Sequence, residues 1–330
     1  MSLLSRVIFA GSAHRYELAE VRDGLFISEG DKPAKLTQFW MLLVLSSLVA
    51  AGGVVMDSTP AVIGAMIIAP LATPIYGVAL ATTIGSVKGF RTSLLLMVSG
   101  IAVNILIGVL VAVIVRERIP IDANPQITGR TAPELLDLGV AVAVGIAGAF
   151  ALTRRDVSNI VAGVAIAISL VPVLAVVGIT LGNGHFELAT GAFLLFLTNV
   201  AAILVAGTAV FGAAKFSQPA ADVALHGGRR ARIFIAVFLV AVVVPLGIAS
   251  WRTYRYERWV SSVQASAEDW VAGTSWEVNS VILEHDEIVI TVVGPDDPPP
   301  REDLVTAVRR SVPKRVTVHL VEEAGDDTEL

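Results

Sequence analysis

A chain of 330 residues that is 55% hydrophobic and only 16% charged falls well below the ~25% charged residues of an ordinary soluble protein. Its net charge of −5, without a basic stripe, argues against nucleic acid as a partner. The absence of cysteine excludes disulfides, thiolate catalysis and cysteine-ligated metals.

The first element is a segment over residues 1–38, read as short amphipathic helices on the cytoplasmic membrane surface. Leu3, Leu4, Val7 and Ile8 share one helix face, as do Leu18, Val21 and Leu25, with Gly24 near the end. The apolar stretch from Leu3 to Ala13 is interrupted by Arg6 and closed by His14 and Arg15. It does not read as a cleavable leader, which needs an uninterrupted apolar core.

About 20 apolar residues cross a bilayer as helix. Seven candidate spans follow: 39–56, 61–85, 92–115, 138–152, 157–181, 188–212 and 233–250. Trp40 opens the first, and Trp251, Tyr254, Tyr256 and Trp259 follow the last, as interfacial aromatic belts do. Asp57-Ser58-Thr59-Pro60 combines a tight turn with a helix start, a hydroxyl cap followed by proline. The fourth span is short, with Gly139, Ala143, Ala147 and Ala151 four apart, a spacing that lets helices approach closely. It is therefore read as buried inside the bundle. The charged break Arg154-Arg155-Asp156 is short enough to make spans four and five a hairpin.

Orientation follows the Lys and Arg distribution. Thirteen lie on the N-terminal side: Arg6, Arg15, Arg22, Lys32, Lys35, Lys88, Arg91, Arg154, Arg155, Lys215, Arg229, Arg230 and Arg232. Six lie opposite: Arg116, Arg118, Arg130, Arg252, Arg255 and Arg258. The N-terminus is thus expected in the cytoplasm of a multi-pass inner (plasma) membrane protein. Seven spans place the C-terminal domain outside; a re-entrant second span would invert this.

The run Ile63–Pro74 resembles Val161–Pro172, both small-residue apolar stretches ending on proline, and Thr82 matches Thr180 at the same offset of 98. The next span of each half carries an asparagine, Asn104 or Asn199. Spans 1–3 and 4–6 therefore read as two copies of one unit, although Ala, Gly, Ile and Val also match by chance. Three spans per copy would make the copies antiparallel, the inverted repeat of many secondary transporters.

At Phe39-Trp40, at Pro60–Leu71 and at Phe196-Leu197-Thr198-Asn199, the chain resembles the bacterial membrane family catalogued as domain of unknown function 389. The resemblance covers residues 37–212 and implies a polytopic membrane protein with no established activity. Thr73-Pro74 and Val171-Pro172-Val173 depart from the pattern, which would have a small residue before the first proline and a Pro-Pro pair at the second. The second break is expected to be milder for that reason.

Residues 251–330 read as a small soluble α-β-β-α-β domain. It has a helix over 256–273 with Trp259, Val263 and Trp270 at apolar positions, and strands over Val278–Leu283, Ile288–Val293 and Arg315–Val321. A helix over Glu302–Arg310 joins the last two strands, and the acidic stretch Glu322–Leu330 reads as an unstructured tail. So small a core folds weakly alone, and by architectural analogy the domain is expected to pack against copies of itself in a homo-oligomer.

No Asp, Glu, Lys, Arg or His lies inside any of the seven spans. Proton relays and ion-coupled pumps keep such groups at membrane depth, and intramembrane proteases need paired Asp, a Ser dyad or a zinc site. The chain is therefore read as no enzyme, with no cofactor or metal. The five histidines, His14, His185, His226, His285 and His319, lie in loops or the soluble domain and read as solvated.

What remains at depth are helix breaks and neutral polar groups. Proline removes a backbone N–H and clashes one turn back. Pro70, Pro74 and Pro172 are thus expected to free the carbonyls of Met66, Pro70 and Ile168, which must be re-satisfied or face a hydrated path. Thr73, Asn104, Ser169, Thr198 and Asn199 either hydrogen-bond between helices, at about 0.6–2 kcal/mol each, or line that path. The reading is a transporter or channel-like protein moving an ion or small solute past proline-broken helices. The alternative is an oligomeric membrane scaffold or sensor.

Overall fold

A computed structural model describes residues 15–115, 120–121, 123–133, 135–157, 170–214, 216, 258–284, 287–294, 299–312 and 316–324, with single helical positions between 233 and 255. The chain divides into two compact units, Met1–Gly247 and Ile248–Leu330.

The larger unit is all helix among its described residues. Helix α1 (Leu18–Leu25) buries Val21 and Leu25, two members of the face read from the sequence. Its start is capped by Glu20, whose carboxylate accepts from the Glu17 N–H at 2.8 Å. The next residue, Phe26, is buried with its ring 2.7 Å from where a Gly89 Cβ would stand. Helix α2 (Lys32–Val55) starts on Asp31, whose side chain accepts from the Ala34 N–H, with Pro33 in the first turn. Lys35 folds back onto the Asp23 carboxylate (2.8 Å) and the Glu29 carbonyl (2.8 Å), pinning α1 to the base of α2.

After the turn at Asp57 (φ +49°) come α3 (Thr59–Ile68) and α4 (Ala72–Ile84). They are bent by 42° across Ala69–Leu71. The helix of the second predicted span is therefore interrupted, at the point where Pro70 denies the Met66 carbonyl its helical donor, as in a broken span or a re-entrant loop. Gly85 ends α4 at φ +73°, a left-handed cap suited to glycine. Helices α5 (Val87–Val115), α6 (Pro125–Thr128), α7 (Leu135–Ala151), α8 (Leu170–Gly182) and α9 (Phe186–Ala213) follow.

Among the described residues, α2, α5 and α9 are long and apolar enough to cross a membrane, and the bent pair α3–α4 makes a fourth candidate. The outward face of α5 is apolar, with Leu95, Leu106, Leu110, Val113 and Ile114 all more than half exposed, which suits lipid contact. Helices α7 and α8 are shorter. The first half of the fifth predicted span and two-thirds of the seventh lie outside the described residues.

The predicted role of α7 needs correction. Of the predicted stripe, Gly139, Ala143 and Ala147 face outward, as do Leu136, Val140 and Ile146, and only Ala151 at its end is buried. The buried face carries Ala141, Gly145, Gly148 and Ala149, with Gly145 against Ala202, Ile203 and Ala206 of α9. The helix bears two stripes of small residues, and spacing alone cannot say which one meets a neighbour.

The unit is held by a few pairings. Helix α4 packs on α5 and α9, α8 packs on α9 and α5, α2 packs on α5, and α7 packs on α9. Helices α5 and α8 cross backbone to backbone at Gly108 and Gly178. A Cβ on Gly178 would stand 2.7 Å from Gly108 Cα, so side chains are excluded there.

The smaller unit contains α10 (258–271), β1 (Glu277–Glu284), β2 (Glu287–Gly294), α11 (Arg301–Ser311) and β3 (Thr317–Ala324). The sheet order is β1-β2-β3, with β1–β2 antiparallel and β2–β3 parallel. Alternation along β2 sends Ile288, Ile290 and Val292 into a core with Val263, Ala267, Leu304 and Val308 from the helices. The third strand runs later than predicted, so Glu322–Ala324 belong to the sheet, paired with Val292–Gly294, rather than to an acidic tail. Ladder hydrogen bonds to a central strand outweigh the poor strand propensity of glutamate.

Candidate functional site

The buried stripe of α5 consists of Gly89, Ser93, Met97, Gly100, Asn104, Gly108 and Ala112, one residue every three or four positions. Small members let neighbours close in. A Cβ on Gly100 would lie 2.9 Å from Leu71 in the helix break and within 3.4 Å of Phe39 and Leu43 of α2.

Asn104, one turn further, is 0% exposed, and neither its Nδ2 nor its Oδ1 has a hydrogen-bond partner. A buried polar group without a partner costs about 1–3 kcal/mol. Packing on either side holds it there, Gly100 against the break and Gly108 against α8.

Helices α2 and α5 run parallel. Phe26, before α2, lies on Gly89 near the start of α5. At the other end Asn124, beyond α5, donates to the Val54 carbonyl of α2 at 2.8 Å. One turn beyond Leu43 on α2 is therefore the level one turn beyond Gly100 on α5. Ser46 and Ser47 occupy it, both buried, both donating to the Leu43 carbonyl at 3.0 and 2.7 Å. Ser46 and Ser47 thus stand at about the height of Asn104 along the bundle, each bonded to its own helix.

The predicted site residues separate. Pro70 and Leu71 form the break, beside the stripe that carries Asn104. The expectation of a freed Pro70 carbonyl is corrected, because it accepts from the Thr73 N–H at 3.2 Å. Pro74 is the third residue of α4, where no intrahelical donor is needed, and it is buried. Pro172 is buried in α8. Thr73 and Asn199 are only half buried. Thr198 donates to the Leu194 carbonyl of its own helix at 2.8 Å. Ser169 and Ile168 lie outside the described residues. Asn104 and Asn199 are not equivalent, since the offset of 98 pairs Asn104 with Ala202.

Sequence reasoning missed Ser46 and Ser47, although two adjacent serines in an otherwise apolar span were a signal. It also missed Tyr76, whose buried hydroxyl donates to the Gly145 carbonyl across helices at 3.1 Å.

A second polar cluster closes one end of the bundle. Asn124 and Gln126 are buried. Gln126 donates to the Thr59 hydroxyl at 2.9 Å, and its carbonyl and side-chain oxygen accept from Arg130 at 2.7 and 3.1 Å. Burial lowers the Arg130 pKa from its ordinary value. This loop ties the start of α3 to the connection between α5 and α7.

Residues 66–205 match the family described as "Domain of unknown function (DUF389)". The chain is also similar to the "Uncharacterized protein MJ0678" of Methanocaldococcus jannaschii, 31% identical over 194 residues, covering 58% of this chain and 59% of that protein. No solved structure matches.

Proposed function

We propose that this chain, which carries a domain of unknown function 389 over residues 66–205, is a multi-pass membrane transporter or channel-like protein. It moves an ion or small solute past the Pro70 break. The observation that carries this reading is Asn104, a fully buried amide without a partner in the stripe that meets the broken span. In a packing seam evolution has no use for an unpaired amide, whereas a path needs groups that are free to bind.

An inverted repeat with seven spans is part of the proposal, and several observations support it. Helix α4 ends at Ile84 and α8 at Gly182, 98 residues apart. The Thr82 hydroxyl donates to Val78 and the Thr180 hydroxyl to Val176, each at 2.8 Å. Pairs of helices exchange accordingly, α4–α9 with α8–α5 and α2–α5 with α7–α9. In this reading the N-terminus is cytoplasmic in the inner membrane, and the C-terminal unit lies outside and assembles copies of the chain.

The test is solute and ion flux through liposomes holding the purified protein. Asn104→Leu is expected to lower flux at least tenfold while keeping a monodisperse size-exclusion profile. Unchanged flux in that well-folded variant removes Asn104 from the path. The scaffold reading is supported by the separate compact C-terminal unit, and wild-type protein that passes nothing would favour it.

A further inference from the structure

We propose that β3 is an interface between two copies of this chain. The two strands pair antiparallel about a two-fold axis and join the sheets of the C-terminal units into one. The inference deepens the proposed assembly of copies through that unit and rests on it.

The outer strands of the sheet are β1 and β3. An outer strand offers unpaired N–H and C=O groups to another strand. The edge of β1 is blunted, because its register against β2 shifts between Val278 and Ser280, and such an irregularity turns an edge away from pairing. Strand β3 pairs with β2 without a shift from Thr317 to Ala324 and so keeps a regular outer edge. Val321 on it is 41% exposed.

The helix-covered face is incomplete beside that edge. Val318 and Leu320 of β3 pair with Ile288 and Ile290 of β2. The β2 residues are fully buried, whereas Val318 and Leu320 are only partly so. A cavity of about 130 Å³ lies between them and Leu304, Val305 and Val308 of α11. Among the described residues none from β1 or α10 lines it, so it opens on the β3 side, where Val305 is 57% exposed. A strand added to an edge beside a helix places alternate side chains in such a groove.

Charge selects a second copy, and its direction. Helix α11 runs against β3. Arg309 in its last turn donates to the Val316 carbonyl at 3.1 Å, just before β3 begins, while Arg301 at its start shares the cavity with Leu320. Residues 309–316, from that last turn to the start of β3, include Arg309, Arg310, Lys314 and Arg315 and no acid. The opposite end has Glu302 and Asp303 beside Arg301 in the first turn of α11, and Glu322 and Glu323 late in β3. A parallel copy would set like charges together. An antiparallel copy sets the basic end of each against the acidic end of the other. The edge is thus complementary to itself, the condition for a two-fold contact. Full overlap of the strands puts the axis beside Leu320 or Val321.

The test uses full-length protein in mild detergent, where the absence of native cysteine leaves an introduced thiol as the only one. Val321→Cys, next to the axis, should give crosslinked dimers with a short bifunctional thiol reagent. Thr317→Cys, about 20 Å or more from its copy at 3.4 Å per residue, should give few. Val321→Lys, which sets two ammonium groups face to face, should raise the dimer dissociation constant about tenfold or more. Arg309→Glu should also weaken the dimer, and adding Glu322→Arg/Glu323→Arg to the same chain should restore it. Unfolding midpoints near that of the unmodified protein identify the folded variants, and the crosslinks decide the matter if the lysine variant does not fold. A monomeric unmodified protein would sink the assembly reading and this interface with it. An oligomer in which the two thiols crosslink alike would overturn the β3 interface alone. So would a folded Val321→Lys variant that assembles unchanged, or a Val321→Cys crosslink to a different chain.

Discussion

Asn104 and Gly178 show how single residues act in this bundle. A structural asparagine destabilises when replaced, because its partner is stranded. Asn104 has no partner to strand, so Asn104→Leu is expected to stabilise the protein by about 1–2 kcal/mol. Unfolding in detergent checks the sign, and destabilisation would mean that the amide is a packing element. Gly178 is the opposite case. Its missing side chain lets α8 rest on Gly108 of α5, with Ile105 and Val109 also in contact. Gly178→Val should cost about 1–3 kcal/mol or more by overpacking. A lowered midpoint and loss of the compact elution peak are the expected readouts.

At the scale of elements, the N-terminal segment is a clamp fastened by charge. Arg155 donates to both carboxylate oxygens of Glu20 at 2.6 and 2.7 Å, and its guanidinium lies over the Tyr16 ring. The Tyr16 N–H donates to the Thr153 carbonyl at 3.0 Å. Arg155, then the Glu17 N–H, hold the Glu20 carboxyl below its ordinary value. A carboxyl lowered in the folded state stabilises above the unfolded value of about 4.3, and that contribution is lost as pH falls through the lower folded value. The pair is exposed, so the effect is local and screened by salt. Hydrogen exchange over residues 16–29, corrected for intrinsic rates, should speed up below about pH 4. Glu20→Gln should show part of that loosening already at pH 7. Identical pH profiles for the two proteins would remove this ion pair from the clamp.

For the whole molecule, the decisive quantity is the number of crossings. The absence of native cysteine makes single introduced thiols clean reporters. Cysteines at Ser2 and Thr328 should label from opposite sides of intact cells if the span count is odd. Labelling of both from one side would make the count even. The C-terminal unit would then share the side of the N-terminus.

Much of this architecture was legible before any coordinates. Long apolar runs must become helices, because a backbone without water has to satisfy itself locally, and α2, α5 and α9 cover the predicted spans 39–56, 92–115 and 188–212 to within one residue while starting earlier than each. Proline removes a donor wherever it stands, so the break at Pro70 was readable too. The β-branched runs Val278–Leu283 and Ile288–Val293 announced the small sheet, while the alternation of burial along β2 was decided by what packs on it. Other features depended on which surfaces met. The stripe Gly139, Ala143 and Ala147 and its rival through Gly145 carry the same spacing, and contact with Ala202, Ile203 and Ala206 chose between them. Asn104 and Asn199 look alike as lone polar residues in apolar spans, yet one is sealed in and the other half exposed. Ser46 and Ser47 are buried and turn their hydroxyls onto the Leu43 carbonyl of their own helix, which no local pattern announced. Periodicity is a local property carried by each segment, whereas burial and partnership belong to pairs of segments distant in the chain.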